Sequence, residues 1–180
     1  KASRYYNLGR RMASQELYER ALGNLDMAAA ADSGFSSPHN LKGQIQLTLG
    51  DWQAAEAEFA KAVELDPALT AAWAGWGRSL LRQDRGAEAA TKLTKAMELD
   101  PTYTPALVDL AACRAAEGRV EEAWKLYEAA RELNPRDPEL LFGLGRFLRE
   151  SGKTGEAVTA YRTAIEQLVT LPILNTTNEE

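Results

Sequence analysis

Residues 67–101, PALTAAWAGWGRSLLRQDRGAEAATKLTKAMELDP, hold two helical stripes between two prolines and set the measure for the whole chain. Trp73, Trp76, Leu80 and Leu81 recur at helical intervals, and Ala89, Leu93, Ala96 and Met97 form a second stripe that closes at Asp100-Pro101. A 34-residue step from Pro67 lands on Pro101 and then Pro135. The same step aligns Gly9, Gly43, Gly77, Ala111 and Gly145. It also aligns Ala21, Ala55, Ala89, Ala123 and Ala157, and again Ala28, Ala62, Ala96, Ala130 and Ala164. Helix backbones approach closely only where side chains are short, so small residues at a fixed long period predict stacked helix pairs and an all-α chain. The prolines stop each second helix and disfavour helical geometry at the residue before them, so the chain reverses there.

Working outward, Leu41, Ile45 and Leu49 precede Gly50-Asp51, and Ala55, Phe59, Ala62 and Val63 lead to Asp66-Pro67. Leu107, Leu110 and Ala111 precede Gly118; Ala123, Tyr127 and Ala130 precede Asn134-Pro135. Leu141, Leu144 and Leu148 lead to Gly152, followed by Ala157, Tyr161 and Ala164. The first unit is the weakest, because Ser14-Gln15-Glu16 has no glycine and Ser33 stands where the second, third and fourth units have proline. Two readings fit it: a degenerate repeat, or one long helix from Ser3 to Ala31. The expected division is a repeat domain over 1–171, with repeats at about 2–35, 36–69, 70–103, 104–137 and 138–171, and a tail over 172–180 that begins where Pro172 breaks the last helix. No polar capping helix follows the fifth unit, so Val158, Ile165, Leu168 and Val169 are expected to stay partly exposed as a contact surface or a trimmed edge.

The 180 residues are 45% hydrophobic and 26% charged, a globular composition, and the core of a repeat chain is spread along its axis. A net charge of −5 argues against a general nucleic-acid or anionic-membrane binder while allowing a local basic patch. One cysteine, Cys113, rules out an intrachain disulfide and reads as a packed small side chain. The compartment stays open between cytoplasm and periplasm. No stretch has the roughly 20 apolar residues of a membrane helix. The chain opens on Lys1 rather than Met, as a mature or trimmed form would.

Nothing in the sequence assembles a catalytic, metal or cofactor site. The single histidine, His39, has no partner at metal-ligand spacing and is expected to be structural where the first two repeats pack. No phosphate-cradling glycine loop occurs, and the carboxylates are scattered over amphipathic faces. Trp52, Trp73, Trp76 and Trp124 all read as packing.

With these residues in register the chain resembles the tetratricopeptide repeat family, whose first helix carries Trp, Leu, Gly and Tyr and whose second carries Ala, Phe, Ala and Pro. Trp73, Trp76, Gly77, Ala89, Ala96 and Pro101 carry the pattern in the third unit, and Gly43, Ala55, Phe59, Ala62 and Pro67 in the second. Three residues depart from it: Lys42 and Gln46 stand where apolar residues are usual, and Arg114 occupies an aromatic slot.

The resemblance implies a right-handed superhelical solenoid of antiparallel helix pairs whose first helices line a concave groove. Family geometry would place Tyr6, Arg10, Asn40, Gln44, Leu47, Ala74, Arg78, Leu81, Arg82, Val108, Phe142, Arg146 and Arg149 there. Five of these are arginines in a net acidic chain, whereas Glu56, Glu58, Glu121, Glu122, Glu128 and Glu132 fall on second helices. Arginine forks suit carboxylates, so the expected ligand is an acidic or carboxylate-bearing segment of a partner protein. The plainer reading is that the arginines are solvated or pair with Glu139, Glu150 and Asp109. The carboxylate clamp of co-chaperones in this family is not reproduced: its slots read Tyr6 and Arg10, then Gln44, then Ala74 and Arg78, and only Arg78 matches in type.

The expected function is therefore a non-enzymatic adaptor or scaffold that supports assembly of a multiprotein complex, with no cofactor and no nucleic acid. Self-association through the terminal repeats is a further use of the same fold. Two alternatives share the architecture: an assembly factor of a bacterial pilus, secretin or exopolysaccharide export machine, and the regulatory repeat region of a larger enzyme such as a glycosyltransferase.

Overall fold

The computed structural model describes residues 1–174, which form helices and, among the described residues, no strand. Two compact units emerge, divided between Asp100 and Pro101. The first holds α1 (Ala2–Ser14), α2 (Tyr18–Ala31), α3 (Ser36–Leu49), α4 (Trp52–Leu65), α5 (Thr70–Leu81) and α6 (Gly86–Leu99). The second holds α7 (Thr104–Ala116), α8 (Val120–Leu133), α9 (Pro138–Glu150) and α10 (Thr154–Leu174). The helices pack as successive pairs, α1 with α2 through α9 with α10, and within the first unit α3 also touches α1 and α5.

The turns follow from local chemistry. Gly50 ends α3 at φ 81°, and Asp51 then caps α4 by accepting a bond from the Ala54 backbone N–H (3.1 Å). The α1–α2 turn lacks that glycine, and Glu16 takes the left-handed conformation itself at φ 59°, so residues 2–31 form two helices rather than one. Ser33 in place of proline changes little. Asp32 is already extended and its carboxylate accepts from the Gly34 N–H (3.1 Å), the same arrangement that Asp66 makes with Ala68 (3.0 Å).

Both alanine series are buried, none more than 2% exposed. Phe59 on α4 is fully buried among Ala55, Ala62, Val63 and Ala72, with Leu47, Leu69, Trp73 and Trp76 around the edge. Two glycines make room for its ring. A Cβ on Gly43 of α3 would come within 2.9 Å of it, and one on Gly75 of α5 would run into its Cε1 and Cζ atoms. A second cluster centres on Leu25, with Ala21, Ile45, Tyr6 and Leu41. In the second unit, Tyr127 and Phe147 meet at 5.4 Å between ring centroids, and Leu107, Leu140, Leu144 and Leu148 are buried. Cys113 is buried there too, and burial beside Asp109 and Glu117 pushes its thiol pKa up to about 12.

The end of the repeat region differs from expectation. α10 runs through Pro172 to Leu174, the last described residue, so Pro172 does not break the helix where the sequence suggested. The remainder of the expected tail, 175–180, lies outside the described residues. The stripe of Val158, Ile165, Leu168 and Val169 on α10 is exposed, at 48–60%.

Candidate functional site

The candidate residues fall into two sets, one per unit. In the first unit Tyr6 and Arg10 stand on α1, Asn40, Gln44 and Leu47 on α3, and Ala74, Arg78 and Leu81 on α5, with Arg82 just past its end. Tyr6 is half-buried and meets Phe35 edge-on at 5.2 Å, which fixes its ring against the start of α3. Arg10 is exposed and, with Arg4, Arg11 and Asn7, borders a depression of about 930 Å³ along α1. That helix has no acidic residue. On α3, Gln44 is exposed, Leu47 packs against the Phe59 cluster, and Asn40 has a buried Oδ1 with no hydrogen-bond partner. On α5, Ala74 is buried and Arg78 and Leu81 are half-buried, while Arg82 is exposed. Neither Arg10 nor Arg82 has an ion-pair partner among the described residues.

In the second unit the expectation fails for Val108. It is 5% exposed, directed at the close crossing of α7 with Gly143 of α9, and offers no surface to a ligand. Phe142 and Arg146 are exposed; the Phe142 ring is tilted against Tyr161 at 6.0 Å. Arg146 approaches the Tyr127 hydroxyl, whose pKa burial pushes up to about 12 against the pull of that guanidinium. Arg149 lies 3.7 Å from Glu150, a solvent-exposed pairing of small energetic value.

The second-helix acids are mostly engaged. Glu56 accepts from Gln83 (2.9 Å) and Arg85 (2.7 Å), Glu122 pairs with Arg119 (2.7 Å), and Glu128 with Arg131 (2.8 Å). Glu58 binds His39 Nδ1 (2.7 Å) and Lys42 Nζ (2.5 Å), and Lys42 also reaches Asp26 (2.8 Å). This cluster joins α2, α3 and α4 and accounts for Lys42 at an apolar slot. Burial pulls the Lys42 pKa down, but the bonds to Asp26 and Glu58 outweigh it and hold the ammonium above the ordinary lysine value. Arg114, in its aromatic slot, pairs with Glu117 (2.9 Å). The sequence marks His39 as structural but gives no sign of its partners.

Among the described residues no group of three or more His, Cys, Asp or Glu side chains is placed to hold a metal ion, and no helix is long and apolar enough to cross a membrane. Three models, each of a tetratricopeptide repeat, match residues 37–69, 80–125 and 108–168. The chain belongs to the tetratricopeptide repeat family.

Solved structures of tetratricopeptide repeat proteins share its fold. YrrB, a protein with an unusual peptide-binding site, is 23% identical over 93% of this chain and 86% of its own, with a TM-score of 0.68. A thermophilic repeat protein of Thermus thermophilus, TTC0263, is 19% identical, covering 93% and 91%, at 0.80. PilW, a widely conserved type IV pilus biogenesis factor, is 20% identical, covering 93% and 77%, at 0.81. At these identities the likeness is one of fold. No curated protein matches the sequence.

Proposed function

We propose that the first helices of the repeats bind an acidic segment of a partner protein and thereby hold a multiprotein complex together, with no chemical change to the ligand. The observation that carries this reading is the asymmetry of charge engagement in the first unit. Arg10 and Arg82, on and at the end of first helices, are exposed and without an ion-pair partner among the described residues, whereas Glu56 and Glu58 on a second helix are taken up in local networks. Unpaired, exposed guanidiniums give bidentate donors for carboxylates at little desolvation cost. The peptide-binding site of YrrB, on the same fold, supports a peptide ligand.

The test is capture from the native source with the wild-type chain beside an Arg10→Glu/Arg82→Glu variant, with bound proteins identified by mass spectrometry. Both side chains are exposed, so the variant should keep its helicity and melting temperature. The captured partner should bind it about tenfold more weakly or worse, a loss of about 1.4 kcal/mol. Equal capture by both chains removes the electrostatic part of the proposal.

Two narrower readings belong with this one. The exposed apolar stripe on α10 supports self-association. Light scattering should show mass rising with concentration, and Ile165→Glu/Leu168→Glu should hold the chain monomeric. A role in a pilus-type assembly draws on the fold shared with PilW, and recovery of pilus or secretin subunits among the captured proteins is its test.

A further inference from the structure

The second unit contains a cavity of about 320 Å³ in the notch between the start of α8 and the end of α9. Its walls are almost wholly apolar: Val120, exposed, and Trp124, half-buried and stacked on Phe147 at 6.2 Å between centroids. Cations stand at its mouth. Lys153 Nζ lies 5.1 Å from the Trp124 ring centroid, and Lys125 has no ion-pair partner among the described residues. Lys153 has only a distant carboxylate contact, Glu156 at 4.0 Å, and Glu121 is the acid on the rim.

The repeat supplies its own comparison. Two 34-residue periods earlier, the positions of Trp124, Ser151 and Lys153 are held by Glu56, Gln83 and Arg85. In that notch the Glu56 carboxylate accepts from Gln83 Nε2 (2.9 Å) and Arg85 Nη1 (2.7 Å), so an aliphatic stem ending in a carboxylate closes the gap between α4 and the turn after α5. In the second unit the carboxylate has become an indole, the glutamine a serine, and the cation remains. The notch is left open, apolar at its floor and positive at its lip.

We infer that this notch is a second docking site, which takes a large apolar side chain of a partner segment flanked by an Asp or Glu whose carboxylate pairs with Lys153. The apolar group fills the floor made by Trp124, Phe147 and Val120, and the acid supplies what Glu56 supplies in the first unit. A volume of this size suits one aromatic or branched side chain with part of its backbone, and an aromatic-lined pocket with one charge contact is the usual form of an interface anchor. The notch borrows Phe147 from α9, but its lining includes none of Arg10, Arg82, Arg146 and Arg149.

Capped peptides containing Phe-Glu, with fluorescence anisotropy of a label on the peptide, test the assignment on the full chain. The Phe-Glu peptide should bind with a millimolar dissociation constant, and the Trp124 indole N–H resonance, assigned by its loss in Trp124→Phe, should shift in step. A Phe-Gln peptide, or the Lys153→Gln variant, should bind about fivefold more weakly or worse. Trp124→Glu rebuilds the ion pair of the first unit and should close the notch, abolishing binding while the helicity is retained; Lys153→Gln carries the test if that variant fails to fold. The Arg10→Glu/Arg82→Glu variant should bind normally, which separates this site from the first-helix surface. Equal affinity for Phe-Glu and Phe-Gln, binding unaffected by Lys153→Gln, or binding only of a peptide ending in a free Phe carboxylate would each overturn the assignment.

Discussion

Phe59→Ala is expected to lower the stability of the chain by about 3–5 kcal/mol, the largest effect of any single truncation in the first unit. Phe59 is fully buried, and its ring lies against the positions where Gly43 and Gly75 lack side chains. When the ring is removed nothing at these two positions can swing in to fill the space, because the residues facing it have no side chains to move. Either α4 shifts toward both first helices or a cavity remains, and the cavity contributes its own cost on top of the lost burial. Urea denaturation should show a fall in midpoint, and for a chain of this length the melting temperature should drop by roughly 2–4 °C for each kcal/mol lost. Phe59→Leu, which keeps much of the volume, should cost less than half as much. A loss below about 1 kcal/mol for the alanine variant would mean that the ring is not the keystone of this crossing.

Lys42→Met should cost about 3–5 kcal/mol, although an apolar residue is what the repeat pattern favours there. Lys42 is 14% exposed and bonds both Glu58 and Asp26. Asp26 is open to water and can rehydrate, but Glu58 is as deep as His39, so loss of the ammonium leaves a largely buried carboxylate with only His39 beside it. The penalty comes from that stranded charge, not from any large net gain the cluster provides in the native chain. The triple variant His39→Leu/Lys42→Met/Glu58→Leu should therefore recover most of the loss, a strongly non-additive result that chemical denaturation of the single and triple variants would expose. If the triple variant is as unstable as the sum of its parts, the cluster contributes stability outright.

Much of the fold was legible because the repeat states its own rule five times. The alanine and glycine registers and the prolines after second helices report backbone approach and chain reversal, which are local and periodic. The first pair was ambiguous because its turn rests on Glu16 in a conformation that glycine usually marks, and a non-glycine residue leaves no signal there. The Lys42 cluster was invisible for a different reason. Asp26, Lys42 and Glu58 lie on three helices, and only the stacking of one pair on the next brings them together. Val108 shows the limit of transferring a register: it belongs to the series of surface positions, yet its β-branched side chain sits at the close approach of α7 to α9 and is buried. Trp124 read as packing because half of it is; that its remaining surface faces an open notch depends on Ser151 and Lys153, residues of the following turn.

The central claim is that the first helices carry the partner. Hydrogen–deuterium exchange of the chain with and without its captured partner tests it most directly. The account predicts added protection in the exposed segments of α1, α3 and α5, near Arg10, Gln44 and Arg82, with α2, α4 and α6 unchanged. Protection confined to α2, α4 and α6, with the first helices exchanging as in the free chain, would contradict it.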